Sequence, residues 1–154
     1  PIALMTGGII TSDPTSIGLR AYNDGLIYDE KSRHKEAIEY FNLAVKCGYK
    51  NIDVFLRRGS CLQLLYQHEP AIRDFNKVIT QRPNDCYPLF LRSVSKFKSG
   101  DIDGAITDIQ KAIILSLAES ETNDEYREKA WRLGFGTHTA LYKTHLHNFR
   151  RNVD

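Results

Sequence analysis

Three histidines, His138, His145 and His147, stand close together near the C-terminus, and clustered imidazoles raise the question of a metal. Zinc sites draw their nitrogen, sulfur and oxygen ligands toward one point. On a helix His138 and His145 share a face, whereas His145 and His147 do not. No cysteine or carboxylate stands beside them at ligand spacing. They are therefore assigned to a cap or a surface, and the sequence names no metal ligand. Cys47, Cys61 and Cys86 are odd in number and widely spaced, with no C-x-x-C. Cys61 is expected in a packed interior, where a thiol is inert. Arg58 with Asp74 and Arg92 with Asp108 repeat one spacing of 16 residues. That spacing reads as a bidentate ion pair fixing two helices, with a ligand-holding role as the alternative. Catalytic patterns are missing: no phosphate-cradling glycine loop, no G-x-S-x-G, no H-E-x-x-H and no Cys-His pair at a telling spacing. Gly100-Asp101-Ile102-Asp103-Gly104 is too short for an EF-hand loop and reads as a turn. The expectation is a protein with no catalytic residue, no cofactor and no metal.

The elements that would position these side chains follow from a step of 34 residues. Ala37-Ile38, Ala71-Ile72 and Ala105-Ile106 keep it, as do Gly25, Gly59 and Ser93, and Phe41, Phe75 and Ile109. Such a unit cannot bury its own apolar face, so neighbours must stack. The units run 18–51, 52–85 and 86–119. Helix pairs are expected at 16–28 and 33–47, 52–66 and 69–81, and 88–98 and 102–117. Apolar stripes at helical spacing, such as Ala37, Ile38, Phe41, Ala44 and Val45, make the fold all-α. Residues 120–154 read as a degenerate fourth hairpin or a cap, with helices near 124–133 and 139–150 and Trp131 in its core. Residues 1–17 form an N-terminal segment, read as the remnant of a preceding repeat; Gly7-Gly8 speaks against a helix there.

These residues resemble the tetratricopeptide repeat family. The second unit carries the family pattern as Phe55, Arg58-Gly59, Leu62, Ala71-Ile72, Phe75 and Pro83. The third carries Leu89, Ser93, Gly100-Asp101, Gly104-Ala105-Ile106 and Ala112, and the first Ala21, Gly25, Tyr28, Ala37-Ile38, Phe41 and Ala44. Tyr49 and Leu117 depart from the usual terminal proline, and Ile109 from an aromatic. The resemblance implies a right-handed superhelix of antiparallel helix pairs whose first helices line a concave groove. Carried over residue by residue, the groove takes Leu19, Tyr22, Leu26 and Asp29 from the first unit. It takes Asp53, Leu56, Ser60, Gln63 and Gln67 from the second, and Tyr87, Phe90, Val94, Phe97 and Asp101 from the third. Tyr22, Leu26, Leu56, Ser60, Gln63, Tyr87, Phe90, Val94 and Phe97 are the candidate partner-binding residues, an apolar set of the kind that anchors a peptide or an amphipathic helix. The lesser alternative is that the chain's own C-terminal helix, or residues 1–10, folds back onto this surface. Family members that hold the C-terminal carboxylates of Hsp70 and Hsp90 use a clamp of Lys, Arg and Asn. The matching positions here are Tyr22, Leu26, Arg57, Tyr87 and Leu91, so no such clamp is expected.

Bulk composition narrows the partner class. Among 154 residues, 21 are basic and 19 acidic, which gives no electrostatic footprint for nucleic acid or an anionic membrane. No apolar run reaches the roughly 20 residues that span a bilayer. Unpaired thiols and the lack of an N-x-S/T acceptor point to the cytoplasm, with nucleus or cilium as further options. Pro1 in place of methionine fits an excised or processed chain. The functional expectation is a module binding a protein or peptide segment in the groove. The alternatives are an architectural segment of a longer array in a large ciliary or cytoskeletal assembly, and the docking domain of an enzyme.

Overall fold

The computed structural model describes residues 13–118 and 138–152, which form seven helices and no strand. In chain order these are α1 (Pro14–Glu30), α2 (His34–Lys46), α3 (Asp53–Leu64), α4 (His68–Gln81), α5 (Cys86–Lys98), α6 (Ile102–Ala118) and α7 (His138–Arg151). The expected N-terminal remnant, the helix near 124–133 and Trp131 lie outside the described residues. Two compact units divide the chain, one up to Asp74 and one from Phe75, with the boundary inside α4.

Local signals start the helices. Asp13 caps α1, its carboxylate accepting from the backbone N–H of Thr15 (2.9 Å) and Ser16 (3.2 Å), with Pro14 at the first helical position. Asp85 accepts from the Tyr87 N–H (3.1 Å) ahead of α5. Asp101 accepts from the Gly104 N–H (2.9 Å), so the Gly100–Gly104 stretch is a helix start.

The turns inside the pairs obey the same step as the packing columns. Ser32, Tyr66 and Gly100 have φ of 58°, 61° and 92°. Behind them the N–H of Arg33, Gln67 and Asp101 donate to the carbonyls of Tyr28, Leu62 and Lys96 at 2.9, 2.8 and 2.9 Å. This Schellman closure recurs inside each of the three pairs, and of these only the third places a glycine at the left-handed position. An L-residue there costs about 1–2 kcal/mol. Tyr66 is 82% exposed, so its ring contributes little packing. Tyr66→Gly is therefore expected to stabilise the chain by about 0.5–1 kcal/mol after glycine's larger unfolded-state entropy is subtracted. A urea midpoint that falls in this variant would contradict the strain argument.

In unit 1, α1 packs along α2, and α2 along α3. Ala21, Ala37, Phe41, Ala44, Val54 and Cys61 are its buried centre, with Tyr22, Leu26, Ile38 and Tyr49 packed against them. In unit 2, α5 packs along α6, and α6 along α7; Leu89, Ala105, Ile109, Ala112, Tyr142 and Phe149 are buried.

Arginine clasps tie the helices. Arg58 Nε and Nη2 donate to the two carboxylate oxygens of Asp74, each at 2.8 Å, while Nη1 donates to Asn42 Oδ1 at 3.0 Å. Arg92 repeats the arrangement on Asp108 (2.7 and 2.7 Å) and Asn76 (2.8 Å). Each guanidinium thus joins the second helix of its own repeat to the second helix of the repeat before. The bidentate pairing expected from sequence is present; the asparagine column was not anticipated. The matching first-unit positions hold Asp24 and Tyr40 in place of the arginine and aspartate, and Tyr40 stacks on Tyr28 with centroids 5.1 Å apart.

Candidate functional site

The candidate residues lie on the first helices of the repeats, and each unit presents its own face. In unit 1, Tyr22 and Leu26 are half-buried on α1, seated against the core. The Tyr22 ring stacks on Tyr49 at 4.7 Å and lies 5.9 Å from Phe41. Tyr49 stands where the family usually has proline, so this departure reaches the site and supports one of its aromatic anchors. Burial, then the Asp53 carboxylate, holds the Tyr22 phenol above its ordinary pKa, so it stays protonated. Leu19 and Ile27 of the same helix are each about half exposed. On α3, Leu56 is buried and Ser60 and Gln63 are half-buried. The Ser60 hydroxyl donates to the Leu56 carbonyl (2.9 Å), its lone pairs remaining available as acceptors.

Unit 2 is different. Tyr87 and Val94 are half-buried on α5, but Phe90 and Phe97 carry a second helix. Phe90 stacks on Tyr142 of α7 with centroids 4.7 Å apart and meets the His145 ring edge-on at 5.0 Å. Phe97 stacks on Phe149 at 4.5 Å and 19°. The C-terminal helix, one of the two internal occupants expected, lies over Phe90 and Phe97, while residues 1–10 lie outside the described residues. Tyr142, His145 and Phe149 fall at i, i+3 and i+7, one stripe of an amphipathic helix. Only 8% of Phe90 remains exposed, so it is no open anchor in this conformation. Burial, then Lys98, pushes the His145 imidazole down, which keeps it neutral between Phe90 and Phe149. His138 is buried beside Tyr142 and His147 is exposed, so the three histidines do not converge.

Among the described residues no helix is long and apolar enough to cross a membrane. Cys61 is fully buried, and burial followed by the Asp29 carboxylate pushes its thiol up, away from nucleophilic use.

Stacked helix pairs closed by repeated caps and clasps define an all-α helical-repeat protein, and comparison with known proteins agrees. Tetratricopeptide repeat profiles match residues 21–46 and 53–85. Over those two segments the chain carries tetratricopeptide repeats. It is 26% identical over 115 residues to the human mitochondrial import receptor subunit TOM70, a match covering 68% of this chain and 19% of that protein. The structure of PcrH in complex with the chaperone-binding region of PopD is similar at a TM-score of 0.71 and 18% identity, covering 88% of this chain and 92% of that one. The first such domain of Spaghetti (RPAP3), bound to the HSP90 peptide SRMEEVD, is similar at 0.61 and 18%, covering 78% and 95%. At these identities the structural likenesses establish the fold.

Proposed function

We propose that this chain is a protein-interaction module that takes an amphipathic helix or extended peptide of a partner on the faces of its first helices. The observation that carries this reading is α7 on α5: an aromatic stripe at helical spacing seated on Phe90 and Phe97. A face that receives one amphipathic helix has the shape and chemistry to receive another. The PcrH and RPAP3 complexes, each holding a segment of another protein, support the same reading. In unit 1, Tyr22 and Leu26 supply the apolar anchors, with Leu56 beneath, and Ser60 and Gln63 the polar groups that fix register. In unit 2, Tyr87 and Val94 do so beside the stripe that α7 covers. The partner segment is not a chaperone tail, because Tyr22, Leu26, Tyr87 and Leu91 stand where a carboxylate clamp needs cations and amides.

The test is Tyr22→Glu with Leu26→Glu in the full-length protein, both half-buried positions that tolerate charge better than the core. Quantitative affinity capture from cells is expected to show the principal partner depleted at least about tenfold, with the helical circular dichroism unchanged. Undiminished capture by a folded variant would remove unit 1 from the binding surface. Reversible, titratable binding separates this module from a permanently packed architectural segment, which co-purifies at fixed stoichiometry.

A further inference from the structure

The repeat step leaves one group of side chains unexplained. Asp29 closes the end of α1, His34 opens α2, and Cys61 lies in α3. His34 Nδ1 and Asp29 Oδ1 are 3.1 Å apart, and the Cys61 thiol donates to the same Oδ1 at 3.3 Å. One ligating atom from each lies within 4.8 Å of the other two. Sequence position does not foretell this, since 26 residues intervene between His34 and Cys61. One repeat further along, the matching positions hold Gln63, His68 and Ser95, so stacking does not require the set.

We propose that Asp29, His34 and Cys61 form a Zn²⁺ site that clips the first two repeats together. Tetrahedral zinc bonds of about 2.0–2.3 Å put neighbouring ligand atoms roughly 3.3–3.7 Å apart, close to the 3.1 and 3.3 Å that Asp29 Oδ1 keeps to His34 and Cys61. The donors are one thiolate, one imidazole and one carboxylate, which leaves a fourth position for water or for a side chain presented by a partner. Two anionic ligands balance the ion's charge. Arg57 lies near enough to act on the thiol, and its charge favours the thiolate while opposing the cation; the two anions outweigh it. Coordination breaks the Cys61 S–H bond and forms the Zn–S bond, with the proton released to solvent. Burial and Asp29 hold the free thiol protonated, and a divalent ion between the two groups reverses both influences. Asp29 and His34 side chains keep 23% and 20% of their exposure, which provides the entry path.

Co²⁺ is the probe, added to the full-length chain under reducing conditions with Cys47 and Cys86 replaced by serine. One equivalent is expected to bind, with a thiolate-to-cobalt charge-transfer band that Zn²⁺ displaces and one proton released. Cys61→Ser is expected to abolish the band. His34→Ala and Asp29→Asn, at partly exposed positions, should each weaken binding at least about tenfold without loss of helicity. Absence of the band at stoichiometric Co²⁺ overturns the site, and so does a band that survives Cys61→Ser. If the serine variant fails to fold, the two partly exposed variants decide: undiminished affinity in both overturns the proposal.

Discussion

Asp108→Asn is expected to destabilise the protein by about 3–5 kcal/mol, because it breaks a buried charge pair from the side that holds it together. The Asp108 carboxylate is 6% exposed and accepts Arg92 Nε and Nη2, while Lys96 Nζ sits 2.9 Å away. Arg92 and Lys96 side chains are only about a fifth exposed. Removing the carboxylate charge leaves two facing cations with little water to screen them. An asparagine carbonyl replaces one acceptor and none of the charge. Asp74→Asn should cost less, since the position that matches Lys96 one repeat earlier is Leu62, which brings no second cation. Equilibrium urea unfolding reads both variants as midpoint shifts at unchanged slope. Adding Lys96→Met to Asp108→Asn should restore part of the loss by removing the second cation. Equal losses in the two aspartate variants would show that Lys96 plays no part, and a loss below about 1 kcal/mol would place the clasp among ordinary surface pairs.

The clasp also shows how far this sequence can be read. The arginine and aspartate recur in step, so their pairing is legible from spacing alone. Asn42 and Asn76 recur as well, yet an exposed asparagine on a helix is ordinary, and its partner emerges only when one repeat's second helix meets the next repeat's arginine. Helix limits were legible within two residues, because caps and breakers such as Asp13-Pro14 and Gly100-Asp101 act locally. The left-handed turn column was legible only at Gly100, since Ser32 and Tyr66 carry no such preference and are held there by the closure around them. The candidate face was legible as apolar, but its occupant was not. Periodicity gives Tyr142, His145 and Phe149 a stripe without saying whether that stripe meets Phe90 and Phe97 of the same molecule or of another. Asp29, His34 and Cys61 were least legible, because their meeting depends on the packing of three helices and on no periodic feature.

The second large effect lies in the column that sets helix approach. Phe41→Ala is expected to cost about 3–5 kcal/mol, since the ring is fully buried in the unit 1 core. Gly25 lies against that ring: a Cβ built there would come 2.5 Å from Phe41 Cε1 and 2.7 Å from Cδ1. The ring is rigid and enclosed, so it cannot retreat as a flexible chain end would. Gly25→Ala should therefore destabilise by about 1–3 kcal/mol through overpacking, although alanine is favoured over glycine in a helix by about 1 kcal/mol. The two effects share one volume and cannot be additive. In the Phe41→Ala background the obstacle is gone, and Gly25→Ala is expected to turn neutral or stabilising as the helix preference is expressed. That change of sign, a coupling of about 1–3 kcal/mol in a double-mutant cycle, is the signature of direct contact. The third repeat makes the same exchange in its own sequence. Ser93 takes the glycine column, and Ile109, shorter than phenylalanine, takes the aromatic one; both are fully buried. Additive losses in the cycle would show that Gly25 is required by backbone geometry and not by Phe41, and would detach the small-residue column from the packing argument.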